Sequence, residues 1–213
     1  DNSWKSSHGP IQENGIYYGE KYDARLEMPG WNTYHFDDTN WEETEVVSGP
    51  DLRYQDMPPI RVTRALKPQK MYSIEPGVYI YDFGQNFTGW VRIAVKGHRG
   101  TEVRIRHSEL VNKDGTLNTA TIRKAEATDT YILKGEGLET YEPRFTYHGF
   151  RYIEVAGFPT VPTIESVEGC FVHTDVEKAG DFYCSNELIN RIHNNILWGQ
   201  LSNLHSIPTD CPQ

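Results

Sequence analysis

Five carboxylates stand in distinctive local sequence: Asp82, Glu109, Asp129, Glu142 and Asp210. Two such groups facing each other across a sugar would cleave a glycosidic bond, and pairs of that kind come from distant parts of a chain. Asp82, Glu109, Asp129 and Glu142 read most simply as turn caps or members of solvated strand faces. Asp210 differs, because Ile207-Pro208-Thr209-Asp210-Cys211-Pro212-Gln213 lies just beyond a helical pattern, where loops often line sites. Local sequence equally allows Asp210 to cap a following helix.

The other chemistry-bearing types give less. The eight histidines occur singly, with no H-E-x-x-H and no i, i+4 pair on a helix, so no metal site is claimed. His107 and His148 fall in strand patterns and read as structural. Cys170, Cys184 and Cys211 are widely spaced, and no C-x-x-C pair suggests zinc or a redox dithiol. No glycine loop of the nucleotide-binding kinds occurs. The sequon Asn86-Phe87-Thr88 sits between turn and strand and reads as turn chemistry, and Trp31 and Trp41 are expected as core anchors rather than sugar platforms.

Charge narrows the partners. The 213 residues carry 21 Lys and Arg against 30 Asp and Glu, a net charge of −9, with no basic stripe. Nucleic acid and anionic membranes are poor partners for such a chain. No apolar run approaches the ~18 residues of a membrane span. Aromatics at 12%, with 13 Tyr, 18 Gly and 12 Pro, point to short strands and tight turns.

The elements follow from periodicity. Val91, Ile93 and Val95 alternate with Arg92 and Lys96, and the same period of two recurs at 103–107, 130–133, 147–155 and 167–172. These strands predict a mainly β fold, an antiparallel β-sandwich of jelly-roll type spanning 71–180. Residues 1–50 read as the closing part of another β domain, and the Pro-rich stretch 51–70 as a linker. From Ser185-Asn186, an N-cap signal, Ile189, Ile192 and Ile196 follow at helical spacing and predict a helix over 186–204 that ends before Pro208.

Five segments together resemble one family. They are Gly19-Glu20-Lys21-Tyr22-Asp23-Ala24-Arg25 with Phe36-Asp37-Asp38 to Trp41; Tyr81-Asp82-Phe83-Gly84-Gln85-Asn86-Phe87-Thr88-Gly89-Trp90; Ala127-Thr128-Asp129-Thr130-Tyr131; the run from Tyr141-Glu142-Pro143-Arg144 to Tyr152; and Phe182-Tyr183-Cys184-Ser185-Asn186 through to Asp210-Cys211-Pro212-Gln213. In this order they resemble the bacterial α-L-rhamnosidases, family 78 glycoside hydrolases that remove terminal rhamnose with inversion. The resemblance implies that 181–213 open an (α/α)6 barrel, whose remainder would be the partner of the helix. It also implies that Asp210 binds rhamnose hydroxyls. In the family the glutamate that protonates the leaving oxygen follows the Asp-Cys-Pro-Gln segment within a few residues, and the general base lies far downstream. The expectation is therefore a fragment that ends before its catalytic acid, contains no catalytic residue and is inactive alone. Such hydrolysis needs carboxylates and water, and no cofactor is implied. The substrate class would be a rhamnose-containing oligosaccharide, polysaccharide or glycoside. Two alternatives remain: a carbohydrate-binding β-sandwich, or a structural module that presents its helix. The compartment stays open, since the chain begins at Asp1 without an initiator Met and is expected to be processed or part of something longer.

Overall fold

The protein is described here by a computed structural model covering residues 3–211; Pro212 and Gln213, the end of the Asp-Cys-Pro-Gln segment, lie outside the described residues. One strand organises the molecule. Val78–Lys96 runs for 19 residues and changes neighbours halfway. Its first half lies between Lys70–Glu75 and His148–Ala156, and its second half between Leu138–Tyr141 and Val167–Thr174, all antiparallel. Lys70–Glu75 leaves off at a bulge, where Phe150 opposes Phe87 while Tyr152 opposes Asp82 and Phe83 to Asn86 are looped out of register, and His148–Ala156 gives way to Val167–Thr174 at Gly89. Such a bulge bends and twists the strand, which curls the ten-stranded sheet over its own core.

The alternation seen in sequence has the expected consequence. Val91, Ile93 and Val95 are buried, Arg92 is half-buried and Lys96 is exposed. Inside the curl Phe83, Phe87, Phe150 and Phe171 meet mostly edge to face, with ring centroids 4.5 to 6.1 Å apart, an arrangement that suits the quadrupoles of the rings. Gly89 at φ +155° is required where this strand changes partners, since a Cβ there would collide with the Cys170 carbonyl oxygen. The Cys170 thiol is buried, and that burial pushes its pKa up to about 12.

The mainly β fold is as expected, and the differences lie at the edges. Ile11–Gly15 and Gly19–Asp23 pair into the same sheet, and Gly19–Asp23 runs parallel with Thr128–Ile132 in an otherwise antiparallel array. The stretch 51–70 lacks regular structure only to Pro59. Between Pro59 and Pro68, Ile60–Leu66 forms a strand against Val167–Thr174, because these seven residues contain no proline to withhold a backbone donor. Trp31 is exposed rather than a core anchor, and Trp41 packs edge to face on Phe36 at 5.5 Å.

The helix spans Glu187–Ser202, and Asn186 Oδ1 accepts from the Leu188 N–H at 3.0 Å as its N-cap. It stops two residues short of the expected 204, since Leu204–His205 turns back against Ile207–Pro208 through Ser206 at φ 69°. Its contact with the sheet is made near its C-terminus. Trp198 stacks against Phe171 at 4.9 Å and lies under the Arg64 guanidinium, and the buried Thr88 hydroxyl donates to the Ser202 carbonyl at 2.7 Å. The stripe of Ile189, Ile192 and Ile196 instead faces outward, 44%, 50% and 59% exposed. Among the described residues no helix is long and apolar enough to cross a membrane.

Candidate functional site

The corner beyond the helix fixes Asp210. Asn203, the C-cap, donates from its side-chain amide to the Gly199 carbonyl at 2.8 Å, and its own carbonyl accepts from the Thr209 N–H at 2.7 Å. The hairpin between them is held by the Ser206 N–H donating to Thr174 Oγ1 at 2.7 Å, and by His205 stacked flat on Tyr147 at 4.4 Å. Six residues of chain thus return to the helix end and leave Asp210 exposed, with the neighbouring Cys211 thiol 3.3 Å from Oδ2.

Asp210 stands on a ridge between two cavities. One, of about 360 Å³, is lined by polar side chains including Asn86, Thr88, Glu109, Asn195 and Asn203. The other, of about 720 Å³, lies between Tyr17 and Tyr18 on one side and the 121–125 loop on the other. Both volumes fall in the range of small-molecule sites. An exposed carboxylate at such a rim is an acceptor for several hydroxyl donors, which is what a sugar offers.

Of the remaining carboxylates only Glu109 shares this corner, where it accepts from the Asn86 amide at 2.7 Å. Asp82 accepts from the Gly84 N–H at 2.7 Å, as a turn residue should, and is clamped by Arg151 at 2.7 and 2.9 Å; Arg151 holds its carboxyl below the usual range. Glu142 bridges Arg92 and the Trp90 indole N–H. These three stay apart from one another in separate pairs.

Asp129 is the exception to a solvated or turn reading. It is fully buried, accepting from the Glu20 N–H at 2.9 Å and from His148 Nε2 at 3.2 Å, with His107 Nε2 at 3.8 Å. Burial alone would raise its pKa, but His148 and the Glu20 N–H reverse the sign and hold it below the usual carboxylate range. For His107 the compensation, from Asp129 and the Ala127 carbonyl, falls short. Burial and the neighbouring His148 push it down to about 3, so it is neutral, with Nδ1–H donating to the Ala127 carbonyl and Nε2 left without a hydrogen-bond partner. His107, Asp129 and His148 bring ligand-type atoms within 4.8 Å. Yet the two imidazoles are stacked, 4.1 Å apart and 25° from parallel, so their in-plane lone pairs run side by side instead of converging on one ion. The trio is a buried carboxylate hydrogen-bonded to His148, with neutral His107 stacked on that ring, outside the Asp210 corner. Sequence reasoning placed both histidines as structural but missed Asp129's burial; the period-two position of Asp129 beside Tyr131 was the available signal.

Three family descriptions match the chain in order: an α-L-rhamnosidase N-terminal domain over residues 1–64, a bacterial α-L-rhamnosidase concanavalin-like domain over 72–173, and a bacterial α-L-rhamnosidase six-hairpin glycosidase domain over 177–213. The chain belongs to the bacterial α-L-rhamnosidase family. It superposes on the α-L-rhamnosidase of Dictyoglumus thermophilum with a TM-score of 0.98 and 60% identity over 100% of this chain and 24% of that one. The Streptomyces avermitilis α-L-rhamnosidase, solved with L-rhamnose bound, gives 0.93 and 45% over 100% of this chain and 21% of that one. A Formosa agariphila α-L-rhamnosidase is 36% identical over 100% of this chain and 23% of its own length. The chain thus spans between a fifth and a quarter of its rhamnosidase relatives. Within the family-matched 177–213 segment lie the helix and Asp210, and within 72–173 most of the sheet that carries them.

Proposed function

We propose that this chain is the sandwich portion and first barrel helix of an inverting α-L-rhamnosidase, a glycoside hydrolase that removes terminal α-L-rhamnose from oligosaccharides, polysaccharides or glycosides. The observation that carries the proposal is the uninterrupted likeness to rhamnosidases from end to end, at 60% identity in one solved relative, with Asp210 presented on a free ridge beside two cavities. In this reading 1–50 close an N-terminal β domain, 51–70 connect, 71–180 form the sandwich and 181–213 begin the catalytic domain. Asp210 accepts hydrogen bonds from rhamnose hydroxyls. The acid and the base lie outside these 213 residues, on the remainder of the barrel, which is the partner of the outward-facing Ile189, Ile192 and Ile196 stripe. Inversion requires those two carboxyl groups to stand ~6.5 to 9.5 Å apart with a water between base and anomeric carbon.

Activity on p-nitrophenyl α-L-rhamnoside, followed with the anomeric configuration of the released sugar, tests the proposal. The longer protein containing this chain is expected to release rhamnose of inverted configuration, and the 213 residues alone to be inactive. A robust rate from the 213 residues alone would overturn the site assignment. No rhamnose release by the longer protein would overturn the function.

A further inference from the structure

The larger cavity beside Asp210 contains a feature that folding does not explain. Its near wall is the tip of the hairpin joining Ile11–Gly15 to Gly19–Asp23, and that tip reads Ile16-Tyr17-Tyr18. Hairpin tips ordinarily carry Gly, Asn, Asp or Ser. Here two adjacent tyrosines stand 65% and 63% exposed, and both line the cavity.

The tip is nevertheless held firmly. The Glu126 and Ala127 N–H groups both donate to the Tyr17 carbonyl, at 2.8 and 3.1 Å, and the Thr128 N–H donates to the Tyr18 carbonyl at 2.9 Å. The Thr146 hydroxyl donates to the Gly15 carbonyl at 3.1 Å. Gly19 at φ +104° lets the backbone pass so close to Thr128 that any Cβ would strike its carbonyl oxygen. Exposed rings on a fixed backbone are pre-organised, so stacking on them orders little further chain.

The far wall is also unusual. Arg123 and Lys124 are both exposed and have no ion-pair partner among the described residues, while Arg123 sits in the left-handed region at φ 56° and Ala127 behind it at φ 43°. Strained backbone of this kind persists where surroundings over-determine it, and ligand clamps are a common setting. The cavity therefore offers aromatic faces on one side, cationic donors on the other and the Asp210 carboxylate at its rim.

We infer that Tyr17 and Tyr18 form a leaving-group subsite: with rhamnose held at Asp210, the first ring beyond the glycosidic oxygen stacks on these tyrosines, and its oxygens accept hydrogen bonds from Arg123 and Lys124. The inference rests on the rhamnosidase reading of Asp210. A pyranose presents a face of C–H groups to an aromatic ring and a rim of oxygens to donors, which matches the two walls. A leaving group without a ring has nothing to place in this cavity.

The test compares two substrates on the longer enzyme, a rhamnosyl-glucose disaccharide and methyl α-L-rhamnoside, with wild type, the Tyr17→Ala/Tyr18→Ala pair and the Tyr17→Phe/Tyr18→Phe pair. The alanine pair is expected to lower kcat/KM on the disaccharide about fivefold to tenfold, the scale of lost ring contacts. On the methyl glycoside it is expected to stay within about twofold, and the phenylalanine pair, which keeps the rings, to restore the disaccharide rate. Equal losses on both substrates would mean a structural or rhamnose-contacting role and overturn the inference, as would no loss on either. If wild type cleaves neither substrate, the rhamnosidase reading itself fails and takes the subsite with it; if wild type is active and only the substrate contrast is missing, the subsite alone fails.

Discussion

Asp129 and Asp210 carry the same functional group into opposite settings, and the settings decide what each can do. Asp210 is exposed at a ridge, and among the described residues it is hydrogen-bonded to the Cys211 thiol alone, so Asp210→Asn is expected to leave the melting temperature of the longer enzyme unchanged. It removes a charge-assisted acceptor of about 1.5–3 kcal/mol, so kcat/KM on a rhamnoside is expected to fall about 10- to 100-fold, with weaker inhibition by free rhamnose. Asp129 is the reverse case. With His148 replaced by Leu, its buried carboxylate loses its main partner, and urea unfolding is expected to show a loss of about 3–5 kcal/mol without any specific effect on substrate binding. The same cluster sets a pH dependence. His107 binds a proton only near pH 3 when folded, against an ordinary value of 6.5, so the unfolded chain holds more protons across that window and stability falls as pH drops through it. Asp129, held below its ordinary value, contributes fully above the unfolded carboxylate range and loses that contribution only as pH falls through its folded value. The urea midpoint is therefore expected to decline from pH 7 to pH 4, and His107→Leu to flatten that slope; an unchanged slope would separate His107 from the effect. At this scale sequence was a partial guide. Asp210 was legible from its place after a helix, whereas Asp129 showed only its period-two place beside Tyr131, and its partner Glu20, 109 residues away, left no local signal.

Strands were legible where one face is dry and the other wet. Val91-Arg92-Ile93-Ala94-Val95 fixes its own face, and the expected strands at 103–107, 130–133, 147–155 and 167–172 all lie within or beside observed strands, Glu102–Ser108, Thr128–Ile132, His148–Ala156 and Val167–Thr174. Ile60–Leu66 was hidden by the prolines before it, and the helix end at Ser202 by Leu204, an apolar residue that continues the helical spacing but belongs to the following hairpin. The elements also depend on single glycines in ways that separate close approach from mere turn geometry. Gly19 and Gly77 both have positive φ, but a Cβ at Gly19 meets the Thr128 backbone while Gly77 opens to free space. Gly77→Ala is expected to cost about 1 kcal/mol, the backbone conformation alone. Gly19→Ala must also push apart the parallel pair of Gly19–Asp23 and Thr128–Ile132, and a loss of about 3 kcal/mol or more is expected. Thermal or urea unfolding of the two variants side by side checks this, and equal losses would place no weight on the close approach.

At the scale of the whole molecule, the chain is built on one curled ten-stranded sheet, with an apolar helix face turned away from it. The helix is anchored by Trp198, Leu201 and Ser202, while Ile189, Ile192 and Ile196 stay about half exposed, outside the core cluster. Three large exposed aliphatics in register exceed what a surface helix of a soluble domain ordinarily presents. If the remainder of an (α/α)6 barrel covers this face, the same substitution must have two different costs. In the 213 residues alone, Ile192→Ala removes a half-exposed side chain and is expected to change stability by no more than about 0.5 kcal/mol. In the longer enzyme the same change empties a packed position and is expected to cost about 2–4 kcal/mol. The charged variant Ile192→Glu extends the contrast, because it is expected to reduce self-association of the 213 residues in sedimentation velocity while destabilising the longer protein more than Ile192→Ala does. Equal, small costs in both contexts would mean that the helix face remains wet in the longer protein. The helix would then serve only to carry the 203–211 return and Asp210, and the isoleucine stripe would need another partner.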